Sequence, residues 1–223
     1  MTEPRRWRVM LVDDHAVVRA GYRRLLEDEP DLEVVAEHAD ADAAYTALAR
    51  VPPGLPPGSA GADLLVLDLS MPGRSGLDLL RRASLRWPPL RVLVFSMHDS
   101  PVMVAQALKT GAAGFVTKGS EPEVLVQALR RIARGEAPVL SPDLAAVLPG
   151  GAAPEAPHLG LSAREFDVLR GLIDGQTVEQ IAERLRISPK TVSNYQTLIR
   201  QRLGVATAVE LLHYARAHRL LLP

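Results

Sequence analysis

Leu11-Val12-Asp13-Asp14-His15 is the stretch on which the reading turns. A short apolar run, Arg8-Val9-Met10-Leu11-Val12, stops abruptly at two carboxylates. The same grammar recurs along the chain. Leu64-Leu65-Val66-Leu67 ends at Asp68, Arg91-Val92-Leu93-Val94-Phe95 at Ser96, and Gly114-Phe115-Val116-Thr117 at Lys118. Segments with helical spacing lie between these runs. The pattern predicts strands over 8–12, 32–37, 64–68, 91–96 and 114–117, and helices over 16–28, 41–50, 75–86, 101–110 and 121–134. Alternating strands and helices imply an α/β fold with a five-stranded, doubly wound parallel sheet. In such a sheet the carboxyl ends of the strands open on one crevice. Asp13, Asp14, Asp68, Ser96 and Lys118 therefore meet there. Three clustered carboxylates repel one another unless a cation sits among them.

The basic residues sharpen this. Lysine and arginine together number 26, yet the only lysines are Lys109, Lys118 and Lys190. Where generic positive charge suffices this chain uses arginine, and an ammonium is a different donor from a guanidinium. At 223 residues and 47% hydrophobic content, one or two packed domains are expected. Aromatics are only 4%, so aliphatic side chains must fill the cores. The absence of cysteine excludes a disulfide framework and a thiolate metal site. No apolar stretch approaches spanning length and the N-terminus has no signal core, so a cytoplasmic protein without membrane contact is expected. Net charge is zero but divided: residues 160–223 carry nine basic and six acidic side chains, leaving +3 there and −3 in the remainder. Two regions of opposite sign point to different partners.

Periodicity lapses between Gly135 and Gly160, where Pro138, Pro142, Pro149, Pro154 and Pro157 fall. This is linker chemistry, with a short helix possible over Pro142 to Leu148. Residues 51–62, rich in Pro and Gly, read as a long surface loop. Beyond the linker no strand pattern remains. Four helices are expected over 162–174, 177–185, 189–203 and 207–218. Capping boxes are read at Ser162/Glu165, Thr177/Gln180 and Thr207/Glu210, and Ser188-Pro189 supplies a cap followed by a helix-starting proline. The second and third helices are joined by Arg186-Ile187-Ser188, which is helix-turn-helix spacing. From Arg184 to Val209 there is no acid but five bases: Arg184, Arg186, Lys190, Arg200 and Arg202. A stretch of one sign fits a polyanion footprint. The helix from 189 presents Lys190, Thr191, Ser193, Asn194, Gln196 and Thr197, which can bond phosphates and base edges. Val192, Leu198, Ile199 and Leu203 are expected to face inward.

These residues carry a resemblance. Leu11 to His15, Asp68-Leu69-Ser70-Met71-Pro72-Gly73-Arg74-Ser75-Gly76, the Ser96 strand end and Gly111 to Lys118 resemble a flavodoxin-like receiver domain. Leu161 to Glu165, Lys190-Thr191-Val192 and Leu203-Gly204-Val205 resemble a LuxR-type helix-turn-helix. In that order the chain is similar to the NarL/FixJ class of two-component response regulators. The resemblance implies strand order 2-1-3-4-5, a receiver over 7–135, a linker over 136–159 and a LuxR-type DNA-binding domain over 160–223. It implies that a sensor histidine kinase phosphorylates Asp68, and that Mg²⁺ is held by Asp13 (through water), Asp14, Asp68 and the Ser70 carbonyl. Lys118 would neutralise phosphoryl oxygens. Ser96 would bond the phosphoryl group, and Phe115 would rotate inward with it as a switch. Lys190 and Thr191 would hold phosphate, while Ser193, Asn194 and Thr197 would face bases of double-stranded DNA. The class also implies a homodimer on activation, RNA polymerase as a further partner, and a resting state in which the receiver covers the recognition helix. It implies no enzyme beyond the receiver's own phosphoryl transfer and autodephosphorylation.

Other readings of the same residues carry less. His15 fits a helix start better than a metal ligand. Gly73 to Gly76 lacks a P-loop lysine. An aspartyl-phosphate phosphatase would want an acid two residues beyond the nucleophile, where Ser70 stands. A protein-binding adaptor would not need the one-sign helix pair. Met97, His98 and Tyr195 depart from the usual family pattern.

Overall fold

Residues 6–50, 61–71, 76–97, 101–147, 157–218 and 220 are described by a computed structural model. The expected long loop, Pro72 to Ser75, His98 and residues 148–156 of the expected linker lie outside them, apart from Gly61 and Ala62 at the loop's end.

The first part alternates β1 (Trp7–Val12), α1 (Ala16–Glu27), β2 (Leu32–His38), α2 (Ala41–Ala49), β3 (Leu64–Leu67), α3 (Gly76–Arg86), β4 (Arg91–Ser96), α4 (Pro101–Thr110), β5 (Gly114–Thr117) and α5 (Pro122–Ala133). Central strands are buried on both faces, which is why Leu64 to Leu67 and Val92 to Phe95 read as unbroken apolar runs. β2 lies at the sheet edge, and its Glu33 and Glu37 break the apolar pattern there. Val9, Leu11, Leu64, Val66, Leu93 and Phe95 pack under α1 and α5. Met10, Val12, Leu65, Leu67, Val92 and Val94 face the opposite side, under α2, α3 and α4.

The sheet has six strands, in the order β2-β1-β3-β4-β5-β6, one more than the sequence shows. The addition comes from the expected linker. β6 (Val139–Leu140) pairs parallel with β5, with Val139 beside Gly114 and Leu140 beside Phe115. A Cβ at Gly114 would stand 2.5 Å from the Val139 carbonyl oxygen, so only glycine allows this approach. A two-residue strand has no periodicity to read. α6 (Pro142–Val147) follows, anchored by Leu144 in the core and by Asp143, which accepts a 3.0 Å hydrogen bond from Thr117 Oγ1.

After a short 3₁₀ turn, Pro157–Gly160, come α7 (Ala163–Ile173), α8 (Val178–Leu185), α9 (Pro189–Leu203) and α10 (Ala208–Ala217). Ser162 and Thr177 both close capping boxes. Thr207 does so only by half: its side chain accepts from Glu210 N, but Glu210 Oε2 reaches Ala206 N instead of Thr207 N. α9 starts as the sequence predicts, with Ser188 capping Thr191 N and proline in the first turn. Val192, Ile199 and Leu203 are buried, but Leu198 is 45% exposed, which corrects the inward assignment. At about 100° per residue, 192, 199 and 203 share one stripe and 198 stands about 120° from it.

Candidate functional site

The crevice forms where the sequence places it. Asp13 and Asp14 follow β1, Asp68 follows β3, Ser96 closes β4 and Lys118 follows β5. Asp68 is 2% exposed and Ser96 is fully buried. Lys118 Nζ lies 2.6 Å from Asp13 Oδ2 and 2.7 Å from Asp68 Oδ2. Burial pushes the Lys118 ammonium down, but its hydrogen bonds to Asp13 and Asp68 outweigh that and hold its pKa above the ordinary lysine value. Asp68 Oδ1 accepts from the Ser70 amide at 3.0 Å, and Ser70 Oγ stands 3.5 Å from Ser96 Oγ. Room for this turn depends on Gly76 at the start of α3, where a Cβ would lie 2.5 Å from the Asp68 carbonyl oxygen.

The donor set fits a hard divalent cation. Asp13, Asp14, His15 and Asp68 each offer one atom, all within 4.8 Å of one another. The buried Asp14 Oδ1 makes no hydrogen bond, although His15 Nδ1 is 3.0 Å away. An orphaned carboxylate oxygen beside two further carboxylates is what an oxygen-ligated Mg²⁺ requires. Lys118 neutralises only one of the three negative charges. His15 is the N-cap residue of α1, as the sequence implies, and its ring also leans on the acids.

Phe115 is completely buried, in the same core cluster as Val102, Met103 and Ala107 of α4. The ring stands in the inward position of the expected switch.

The second candidate surface is α9. Lys190, Asn194 and Thr197 are exposed, and Thr191 and Ser193 half-buried. The Ser193 and Thr197 hydroxyls bond carbonyls one turn back, at 3.1 Å each, and Thr191 Oγ1 pairs with Ser188 Oγ at 2.8 Å. The five-base stretch is not all free surface. Arg184, its pKa lowered by burial, bonds Gln176 Oε1 and the Asp167 carbonyl. Arg202 turns back to the Gly160 carbonyl and Glu165. Charge counting could not separate these from surface bases. Arg186 ends α8 in the left-handed region, φ 53°, which its residue type does not announce.

The two parts are in contact. Arg186 Nη1 meets Asp42 Oδ2 on α2 at 2.6 Å, Arg164 lies 4.0 Å from Asp78 on α3, and Gln106 Nε2 on α4 donates to the Leu161 carbonyl at 3.0 Å. These contacts use α7 and the turn before α9 and leave the outward face of α9 open. The covering of that helix implied by the resemblance is not what the receiver does here.

Residues 159–215 match the family described as bacterial regulatory proteins, luxR family, and residues 9–130 match the response regulator receiver domain. The chain belongs to the NarL/FixJ class of response regulators. Within this class it is 40% identical over 205 residues to the transcriptional regulatory protein UhpA of Salmonella typhimurium, covering 92% of this chain and 95% of UhpA. It is 32% identical over 215 residues to the response regulator UvrY of Escherichia coli K12, covering 95% and 94%. Among solved structures, RcsB of Salmonella enterica bound to promoter DNA with the phosphomimetic BeF3⁻ superposes with a TM-score of 0.69 at 29% identity, over 95% of this chain and 98% of RcsB. A response regulator with a receiver and a LuxR-type domain thus accounts for both candidate surfaces. No helix among the described residues is long and apolar enough to cross a membrane.

Proposed function

We propose that Asp68 receives a phosphoryl group from the phosphohistidine of a sensor kinase, and that this phosphorylation controls how α9 engages operator DNA. The observation that carries the reading is Lys118 Nζ between Asp13 and Asp68, next to the orphaned Asp14 oxygen. An Asp68 carboxylate oxygen forms the new bond to phosphorus as the phosphorus–nitrogen bond breaks, and the imidazole leaves with the electron pair. Lys118 offsets charge on the transferring oxygens. Ser96, at the end of β4, bonds the phosphoryl group once it is formed. Asp14, Asp68, the Ser70 carbonyl and, through water, Asp13 would hold Mg²⁺, which supplies further charge neutralisation when bound.

In the helical part, Lys190 and Thr191 at the start of α9 hold phosphate. Ser193, Asn194 and Thr197 face base edges once their hydroxyls exchange intrahelical partners for DNA. RcsB is seen on promoter DNA in the presence of BeF3⁻, and as two dimers on two DNAs. The corresponding expectation for this chain is a homodimer on activation. The exposed Val209 and Leu212, one turn apart on α10, are an apolar face for it. RNA polymerase and a cytoplasmic location complete the proposal, as does a DNA-binding domain over 160–223; the expected receiver over 7–135 and linker over 136–159 are corrected by β6 and α6, which belong to the receiver. Intact-mass measurement with Mg²⁺ and a small acyl phosphate is expected to show one phosphoryl adduct on the native chain and none on Asp68→Asn. Equal labelling of the two removes the assignment.

A further inference from the structure

Where the two parts meet, they line a half-open cleft of about 490 Å³. One wall is the phosphoacceptor crevice, with Asp14 and Ser70. The other is built from the DNA-binding helices, with Asp167 and Arg170 on α7, Gln176 in the following turn and Arg184 on α8. We propose that the docked helices roof the Asp68 site and sort phosphodonors by size. A small acyl phosphate reaches Asp68 in the docked arrangement, whereas a protein-borne phosphohistidine reaches it only after the two parts separate. This rests on the reading of Asp68 as the phosphoacceptor.

The size argument is direct. A sphere of 490 Å³ is about 10 Å across. A helix with its side chains is about 10–12 Å in diameter, so a phosphohistidine presented on a helix cannot enter with its backbone. Stable contact between proteins takes about 800 Å² on each partner, and here the helical wall faces the crevice beside Asp14 and Ser70. Pockets of about 300–1,000 Å³ do admit small molecules. The lining is mixed in charge: Arg170 and Arg184 stand on the helical wall beside Asp167 and Asp174, and Asp14 faces them from the receiver side. The docked arrangement also has definite latches, Arg186–Asp42 at the rim and Gln106–Leu161 in the buried seam. Kinase-dependent phosphorylation is then scaled by the undocked fraction of the protein.

The chain has no cysteine, so a pair introduced at Asp42 and Arg186 can be joined cleanly by a short bis-maleimide. Arg186→Cys/Asp42→Cys protein, crosslinked and uncrosslinked, is offered acetyl phosphate with Mg²⁺, or a phosphohistidine protein chosen because it labels the uncrosslinked form. Adducts are read by intact mass. Crosslinking is expected to leave acetyl phosphate labelling in place and to slow the protein donor by about tenfold or more, as when the competent fraction falls below a tenth. An unchanged rate from the protein donor overturns the roof. Loss of both donors overturns the open cleft, and failure of the crosslink to form overturns the docked arrangement. No labelling of the uncrosslinked chain by acetyl phosphate removes the phosphoacceptor reading instead, so the two failures are distinct.

Discussion

The crevice around Asp68 and the outward face of α9 are both polar, and they are made in opposite ways. In the crevice the groups are buried or half-buried, and two of the carboxylates are held by partners: Lys118 joins Asp13 to Asp68 across strand ends, and the Ser70 amide fixes an Asp68 oxygen. On α9 the hydroxyls of Ser193 and Thr197 bond only their own helix, and Lys190 and Asn194 stand in solvent. A buried polar site is over-determined and holds its shape before any ligand arrives. An exposed one takes its final geometry from what it binds. Substitutions should accordingly cost folding stability in the first region and binding alone in the second.

The largest effect should come from Lys118→Ala. It leaves buried carboxylates without their cation, at an expected cost of about 3–5 kcal/mol in metal-free buffer. Urea unfolding measures this, and Mg²⁺ at about 100 times its Kd should return about 2.7 kcal/mol. A loss well under 1 kcal/mol would erase the contrast. His158 offers a way to break it from the other side, because it is a buried polar group in the DNA-binding part. It is 1% exposed, with Nδ1 2.8 Å from the Tyr214 hydroxyl, and burial followed by the nearby His218 lowers its pKa to about 4. A lowered pKa means the unfolded chain binds the extra proton first. Stability should therefore fall as pH drops from about 6.5 towards 4, by a total of about 3 kcal/mol. Unfolding curves at pH 7 and pH 5 should show this slope in the native chain and a flatter one in His158→Gln. The smallest effect belongs to α9. Asn194→Ala should leave stability unchanged, cost about 1–3 kcal/mol in DNA binding and relax one base position, whereas Lys190→Ala should weaken all sequences alike and make the salt slope shallower by about one unit. A selection from a random duplex pool, repeated at two salt concentrations, measures both.

The same contrast explains what could be read in the chain. The strand ends and their five polar residues were legible because a parallel sheet forces the ends of its strands to one crevice whatever the loops do. Helix starts at Ser162, Thr177 and Ser188 were legible because caps are local chemistry. Leu198 was misplaced because its apolar character outweighed its angular position. Arg184 and Arg202 looked like part of a DNA footprint because charge says nothing about partners far along the chain, and both are spent on α7 and its flanking turns. The half-formed cap at Thr207 turns on which amide Glu210 reaches, a choice between neighbours that the pattern does not encode. β6 and the roofed cleft were invisible, since both depend on tertiary approach, permitted in the first case by Gly114.

The pairing of β6 with β5 also sets how long the tether between the two parts can be. Residues 139–147 are fastened to the receiver and the helical part begins at Pro157, so ten peptide steps from Val147 to Pro157 separate the two. These steps reach at most about 35 Å. A domain confined to that radius sees its neighbour at an effective concentration on the order of millimolar. Contacts that would give two separate proteins a Kd of about 1 mM, about 4 kcal/mol, then leave docked and undocked forms in near balance. Near balance is where a coupling of about 1–3 kcal/mol has its greatest leverage. With β6 and α6 detached the tether would be about twice as long and the effective concentration about threefold lower. A two-residue strand thereby keeps weak latches such as Arg186–Asp42 poised between holding and letting go.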